Sequence, residues 1–192
     1  MFFSMIVFVL GACDLSSQPP PKFAATDITG VDYAKDFALT DHNGKPRSLA
    51  DFKGKAVVLF FGYTQCPDVC PTTMTLLVAA KKLLKEEAKN VQVLFVTLDP
   101  ERDTPQLLAQ YVPAFDASFI GLYGDAQATT NTAKAFRVFY EKQPGSSAKN
   151  YTVDHTTGSY VIDPQGRIRL YIQHGGKPEQ IASDLKLLLA GK

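Results

Sequence analysis

Two of the chain's three cysteines lie close together in Thr64-Gln65-Cys66-Pro67-Asp68-Val69-Cys70-Pro71. Three kinds of chemistry suit such a pair: dithiol–disulfide exchange, nucleophilic attack by a thiolate, and ligation of a metal by two thiolates. Thioredoxin-type reductases place two residues between their cysteines, on the first turn of a helix; here there are three. Pro71 suits the first helical position, which puts Cys70 near the cap and Cys66 in the loop ahead of it. The partial positive charge of the helix end then favours the thiolate of Cys70. A peroxidatic cysteine needs a threonine and an arginine around it. Thr64 is present, but the P-x-x-x-T-x-x-C pattern is not. Two thiolates on a loop stiffened by prolines fit metal ligation best, with a third donor supplied from elsewhere in the chain.

The elements that must position these sulfurs are legible from hydrophobic patterning. The 192 residues, 45% of them hydrophobic, suffice for one sizeable core rather than two. A net charge of +1 offers no bulk field for nucleic acid. Gly44-Lys45 and Gly54-Lys55 lack the upstream glycine and the following Ser or Thr of a phosphate-binding loop. Residues 37–39 read as a short strand, followed by the Asn43-Gly44 hairpin turn. Residues 56–63, AVVLFFGY, are apolar throughout, the pattern of a strand buried on both faces, and 91–98, VQVLFVTL, read as a second buried strand. Residues 72–89 form an amphipathic helix with Leu76, Leu77, Ala80, Leu83 and Leu84 inward and Asn90 as its cap. Thr104 and Pro105 start a helix that runs to about Phe115. Residues 119–124 read as a strand, 126–137 as a helix, 143–154 as a polar loop, 156–173 as a hairpin around Pro-Gln-Gly, and 178–189 as a closing helix.

This order is the thioredoxin-like α/β pattern, with an N-terminal β-hairpin and one inserted βα unit. A right-handed β-α-β crossover makes strands 56–63 and 91–98 parallel, so their C-terminal ends share one edge of the sheet. In that fold the strand after residue 155 begins at the same edge. Three distant segments therefore meet: Cys66 to Cys70, Leu98-Asp99-Pro100, and Asp154-His155. Where thioredoxin-type reductases carry a cis-proline that docks their substrate, this chain has Asp154-His155, which counts against a general disulfide reductase. Two thiolates and an imidazole make a three-donor set, short of the four ligands of structural zinc. Few-coordinate soft thiolates favour Cu(I). With the imidazole and a water or carboxylate as fourth donor, Cu(II) is also accommodated.

FFGYTQCPDVCP, VTLDPERDTP and VDHTTGSYVIDPQG, in this order, resemble the Sco/SenC family of copper-binding assembly factors for cytochrome c oxidase. The resemblance runs from about Phe37 to the C-terminus. It implies that Cys66, Cys70 and His155 bind copper, as Cu(I) or Cu(II). It also implies delivery to the binuclear copper site of oxidase subunit II, reduction of that site's cysteines before metallation, or both. An upstream periplasmic copper donor and a thiol reductant would then be further partners.

Around this set, Asp154 could orient the imidazole. Asp68 could serve as an oxygen donor, a docking charge or a helix N-terminal carboxylate. Asp99 ends a buried strand at the active edge, in reach of the site or a partner. Asp103 and Thr104 are read as caps of the following helix, His42 as an exposed turn residue and His174 as structural. At the N-terminus, residues 2–12 are apolar but too short to span a bilayer, and fit an export signal over 1–12. Leu10-Gly11-Ala12-Cys13 resembles a bacterial lipobox, which makes Cys13 a lipidation site, although MFFSM carries no basic residue. Asp14 is similar to a signal for inner-membrane retention. Residues 13–35, with three consecutive prolines, read as a stiff tether and 36–192 as the domain. The expected location is the periplasmic face of the inner membrane, or the soluble periplasm without the anchor.

Overall fold

A computed structural model describes residues 22–147 and 150–192. Its strands are β1 (Thr26–Asp27), β2 (Leu39–Asp41), β3 (Pro46–Arg47), β4 (Ala56–Gly62), β5 (Val91–Thr97), β6 (Ile120–Tyr123), β7 (Tyr140–Ser147), β8 (Asn150–His155), β9 (Ser159–Ile162) and β10 (Ile168–Ile172). The helices are α1 (Val69–Leu83), α2 (Pro105–Tyr111), α3 (Ala126–Ala135) and α4 (Pro178–Leu189). Eight strands form one sheet in the order β1-β10-β9-β4-β5-β6-β2-β3, while β7 and β8 pair only with each other. β4, β5 and β6 run parallel, and β9 lies antiparallel to β4. The α/β expectation holds, and the inserted β6–α3 unit extends the parallel part of the sheet.

The unbroken apolar runs have the cause inferred for them: both faces of β4 and β5 are covered. Ala56, Val58 and Phe60 face a core shared with Met74 and Leu77 of α1 and Leu185 of α4. Val57, Leu59 and Phe61 face the opposite core with Phe37, Phe136 and Tyr160. Each fully buried side chain of this kind stabilises the fold by roughly 1.5–3 kcal/mol.

Several boundaries differ from the sequence reading. α1 begins at Val69 with Asp68 at its cap, so Cys70 is its second residue and Pro71 its third. It ends at Leu83, where a 3-10 turn over Lys85–Asn90 takes over and Lys85 adopts φ +52°. The burial stripe is accordingly Cys70, Met74, Leu77, Ala80 and Leu84, and Leu83 is exposed. α2 stops at Tyr111. The polar run 143–154 mostly belongs to the β7–β8 hairpin, with Lys142 opposite Val153 and Tyr140 opposite His155. Polarity misled there because this two-stranded arm is largely exposed and has little core to bury. Among the described residues the fold also includes positions ahead of residue 36: Thr26 and Asp27 pair with β10, and Ala34 is buried. Cys13 and the 1–12 segment lie outside the described residues.

Candidate metal centre

The pairing of β4 with β9 puts Phe60 opposite Ser159, and the pairing of β4 with β5 puts Gly62 opposite Thr97. The chain leaves this edge through Tyr63 and Thr64 into the cysteine loop. Asp103 fastens the loop: its carboxylate accepts the Thr64 N–H (3.0 Å), the Thr64 hydroxyl (2.6 Å) and the Thr97 hydroxyl (2.6 Å). Burial pushes the Asp103 carboxyl upward, against the pull of these donors. Asp103 is therefore a loop fastener, not a helix cap. The Thr104 hydroxyl caps α2, accepting from the Leu107 N–H at 3.2 Å.

Cys66, Cys70 and His155 converge, with their ligand atoms all within 4.8 Å of one another. Cys70 Sγ lies 3.6 Å from His155 Nε2, and the Cys70 N–H points at Cys66 Sγ over 3.4 Å. Cys70 is fully buried and Cys66 half-buried, and both are free thiols. His155 Nδ1 sits 2.9 Å from the Thr156 carbonyl oxygen. A carbonyl can only accept, so Nδ1 donates to it, which leaves Nε2 as the ring nitrogen turned to the sulfurs. Phe60 and Tyr63 meet the imidazole edge-on at 6.4 and 6.0 Å between centroids. Tyr63 and Val153 line the same depression, which brings β8 against the cysteine loop.

The two sulfurs differ in kind. The Cys70 thiol and the amides of Cys70 and Asp68 hydrogen-bond Cys66 and hold it down to about 5, with a further contribution from His155. The Cys66 sulfur and burial push Cys70 upward. The sequence reading favoured Cys70 as the low thiol, and the structure reverses this. With the helix starting at Val69, Cys66 lies off its amide end, while the Cys70 sulfur turns into the core. There it fits only because residue 62 is glycine: a Cβ at Gly62 would sit 2.7 Å from Cys70 Sγ and 3.1 Å from the Phe60 and Phe95 rings.

Asp68 and Asp154 are exposed on the rim of the open depression beside Cys66 and His155, outside the three-donor group. The Asp68 carboxylate accepts the Thr72 hydroxyl at 3.2 Å. Asp99, fully buried, is also outside the group; it accepts the Tyr151 phenol at 2.7 Å and pairs with Arg102. His42 is half-buried rather than exposed, with Nδ1 accepting the Gly121 N–H at 3.0 Å. His174 is exposed and contacts the Thr73 hydroxyl at 3.3 Å. The sequence reading missed Gly62, Tyr63 and Tyr151. Gly62 and Tyr63 showed only as a small and a polar residue closing the apolar run 56–63, and Tyr151 only as the aromatic of the polar run 143–154.

Two cysteine sulfurs and an imidazole nitrogen, all turned to one point, form a soft donor set suited to a thiophilic metal. Among the described residues no fourth Cys, His or carboxylate joins it. The family model described as SCO1/SenC matches residues 25–190. The chain belongs to the SCO1/SenC family. Among its relatives is the mitochondrial "Protein SCO2 homolog" of Bos taurus, 38% identical over 157 residues, or 81% of this chain and 59% of the relative. The chain thus spans somewhat over half the length of that protein. The "SCO2-like protein" of Rickettsia felis is 33% identical over 90% of this chain and 86% of its own length. Among solved structures, copper-bound ScoI of Bradyrhizobium japonicum matches with a TM-score of 0.74 and 38% identity, covering 80% of this chain and 97% of that one. Copper-bound yeast Sco1 matches with a TM-score of 0.72 and 28% identity over 82% and 88%. These thioredoxin-like SCO1/SenC proteins share the sheet and helices described above.

Proposed function

We propose that this SCO1/SenC protein binds copper through Cys66, Cys70 and His155 and acts as a metallochaperone in cytochrome c oxidase assembly, passing copper to the binuclear site of subunit II. The observation that carries the reading is the three-donor group, with His155 Nε2 turned onto Cys70 Sγ by the Nδ1–H bond to Thr156. Family membership and copper-bound relatives support the choice of metal. Three soft donors suit Cu(I), and the open rim leaves room for a water or partner ligand that would admit Cu(II). Ligand exchange across that rim would hand the ion on to the acceptor. Asp68 and Asp154 stand there as docking charges.

A second reading uses the same sulfurs as a dithiol that reduces the acceptor's cysteines. Cys66 as thiolate would attack an acceptor disulfide, and Cys70 would resolve the mixed disulfide, leaving Cys66–Cys70 oxidised until a thiol reductant restores it. The asymmetric pair, with one thiol held low and its partner protonated, favours this reading as an accessory activity. Oxidation of the pair would also switch copper binding off.

His155→Ala separates the two. The full chain in detergent, reduced, is expected to bind about one Cu(I) with the soft three-donor set. Cys66→Ala or Cys70→Ala should weaken this by orders of magnitude. His155→Ala should weaken copper binding while leaving reduction of an oxidised copper-site domain intact. Parent-like copper binding by both cysteine variants would overturn the ligand assignment.

An export signal over 1–12, lipidation at Cys13 and a proline-rich tether ahead of the domain would place the site at the periplasmic face of the inner membrane. An SCO1/SenC lipoprotein of Bacillus anthracis, 29% identical with a TM-score of 0.68, supports such an anchor. Among the described residues no helix is long and apolar enough to cross a membrane.

A further inference from the structure

On the reading that Cys66, Cys70 and His155 hold the metal, the third ligand is the one the main sheet does not secure. His155 ends β8, and the β7–β8 arm shares no strand with the eight-stranded sheet. Side chains from other segments help to hold it in place, and Arg102 makes two of these contacts, both on Tyr151. Its guanidinium lies 3.5 Å above the Tyr151 ring and 5.6 Å from the Tyr63 ring centroid. Nη1 donates to the Tyr151 carbonyl oxygen at 2.8 Å and to Gln65 Oε1 at 3.4 Å. Nε donates to Asp99, whose other oxygen accepts the Tyr151 phenol at 2.7 Å. One largely buried side chain thus touches the arm, the cysteine loop and the end of β5. Tyr151 is four residues from His155 on the same strand, and Tyr63, beneath the guanidinium, meets the imidazole edge-on.

We propose that Arg102, through its clamp on Tyr151 and Asp99, is a positioning residue for the third copper ligand. The clamp sets His155 Nε2 opposite Cys70 Sγ, and releasing it leaves the site with two sulfur donors. Arg102 itself is outside the three-donor group. The base of the arm has a separate anchor, the Tyr140 phenol on Thr130 Oγ1 at 2.9 Å, and its two ends are joined by the reciprocal bonds of Phe139 and Thr156 at 3.0 Å. The arm therefore keeps its foot on Thr130 when the clamp is cut, while Tyr151 and the strand that leads to His155 lose their hold on Asp99 and the cysteine loop.

The test uses the full chain in detergent. Cu(I) affinity is read by competition with a chromophoric chelator, and imidazole ligation by the nitrogen hyperfine signal of the Cu(II) form. Arg102→Met is expected to lose on the order of tenfold or more in affinity, as loss of a ligand-orienting partner typically does. The nitrogen signal should weaken with it. Tyr151→Phe, which removes only the phenol, should shift both readouts the same way by less. The double variant Arg102→Met/His155→Ala should bind no more weakly than His155→Ala alone, because both changes remove one ligand. Parent-like affinity and spectrum in Arg102→Met overturn the proposal, as does an additive loss in the double variant. If Arg102→Met fails to melt cooperatively, Tyr151→Phe decides: parent-like behaviour there overturns it. Parent-like affinity in His155→Ala refutes the ligand set itself, and the clamp proposal with it.

Discussion

At the scale of single residues, the candidate site sets two sulfurs in opposite surroundings. Cys66 faces the amides at the start of α1, and Cys70 faces Phe60, Phe95 and Gly62. A thiol held down to about 5 is thiolate across neutral pH. In the reduced, metal-free protein, alkylation of Cys66 by iodoacetamide should rise through about pH 5 and then level off, where an ordinary cysteine keeps gaining rate toward about pH 8.5. Cys70, pushed upward and buried, should stay unmodified until the protein unfolds. Peptide mapping after pH-stepped labelling reads both. Gly62→Ala should crowd the Cys70 sulfur and the rings of Phe60 and Phe95. Overpacking of this kind costs about 1–3 kcal/mol, measurable by denaturant melts, and should weaken Cu(I) binding as Cys70 Sγ is displaced.

At the scale of elements, one local device is used twice. Asp41-His42-Asn43-Gly44-Lys45-Pro46-Arg47 and Asp163-Pro164-Gln165-Gly166-Arg167-Ile168-Arg169 turn the β2–β3 and β9–β10 hairpins in the same manner. In each, one carboxylate oxygen accepts the two backbone N–H groups inside the turn and the other accepts an arginine guanidinium. Glycine follows at φ +84° and +83°, where a side chain would be strained. Burial raises Asp163, but the Arg167 amide and guanidinium and then Arg169 outweigh it, leaving the carboxyl below its ordinary value of 3.8. A depressed carboxyl stabilises the fold above that ordinary value, and the contribution is lost as pH falls through the lower, folded value. Asp163→Asn should therefore cost about 1–3 kcal/mol near neutral pH, and the gap from the parent should close below about pH 4. Urea melts at pH 7 and pH 3 check this. The hairpin turns were legible from Asn-Gly and Pro-Gln-Gly because turn geometry is local. The β7–β8 arm was not, because its strands are set by pairing with each other and by Arg102, Asp99 and Tyr63 from elsewhere in the chain.

At the scale of the molecule, the sheet is tied to its N-terminal approach by a buried acid. The Asp184 carboxylate, 3% exposed on α4, accepts the amides of Ala24 and Ala25 at 2.9 and 2.8 Å. This clasp holds residues 24–27 along β10 at the far edge of the sheet from β2 and β3. Asp184→Ala should speed hydrogen exchange at the Ala24 and Ala25 amides while leaving copper affinity at its parent value. A concomitant loss of copper binding would mean that the clasp and the metal centre are coupled. The sequence alone determined the buried strands, most helices, the β2–β3 and β9–β10 hairpins and the identity of the cysteine pair, because periodicity, caps and turn chemistry act over a few residues. It also carried His155 as third donor, through the fold pattern and the family resemblance. Tertiary structure decided which sulfur is held low, where α1 begins, and how the arm bearing His155 is fastened. Those depend on which helix end, ring or guanidinium arrives from a distant segment, and contacts between segments leave no periodic trace in either one.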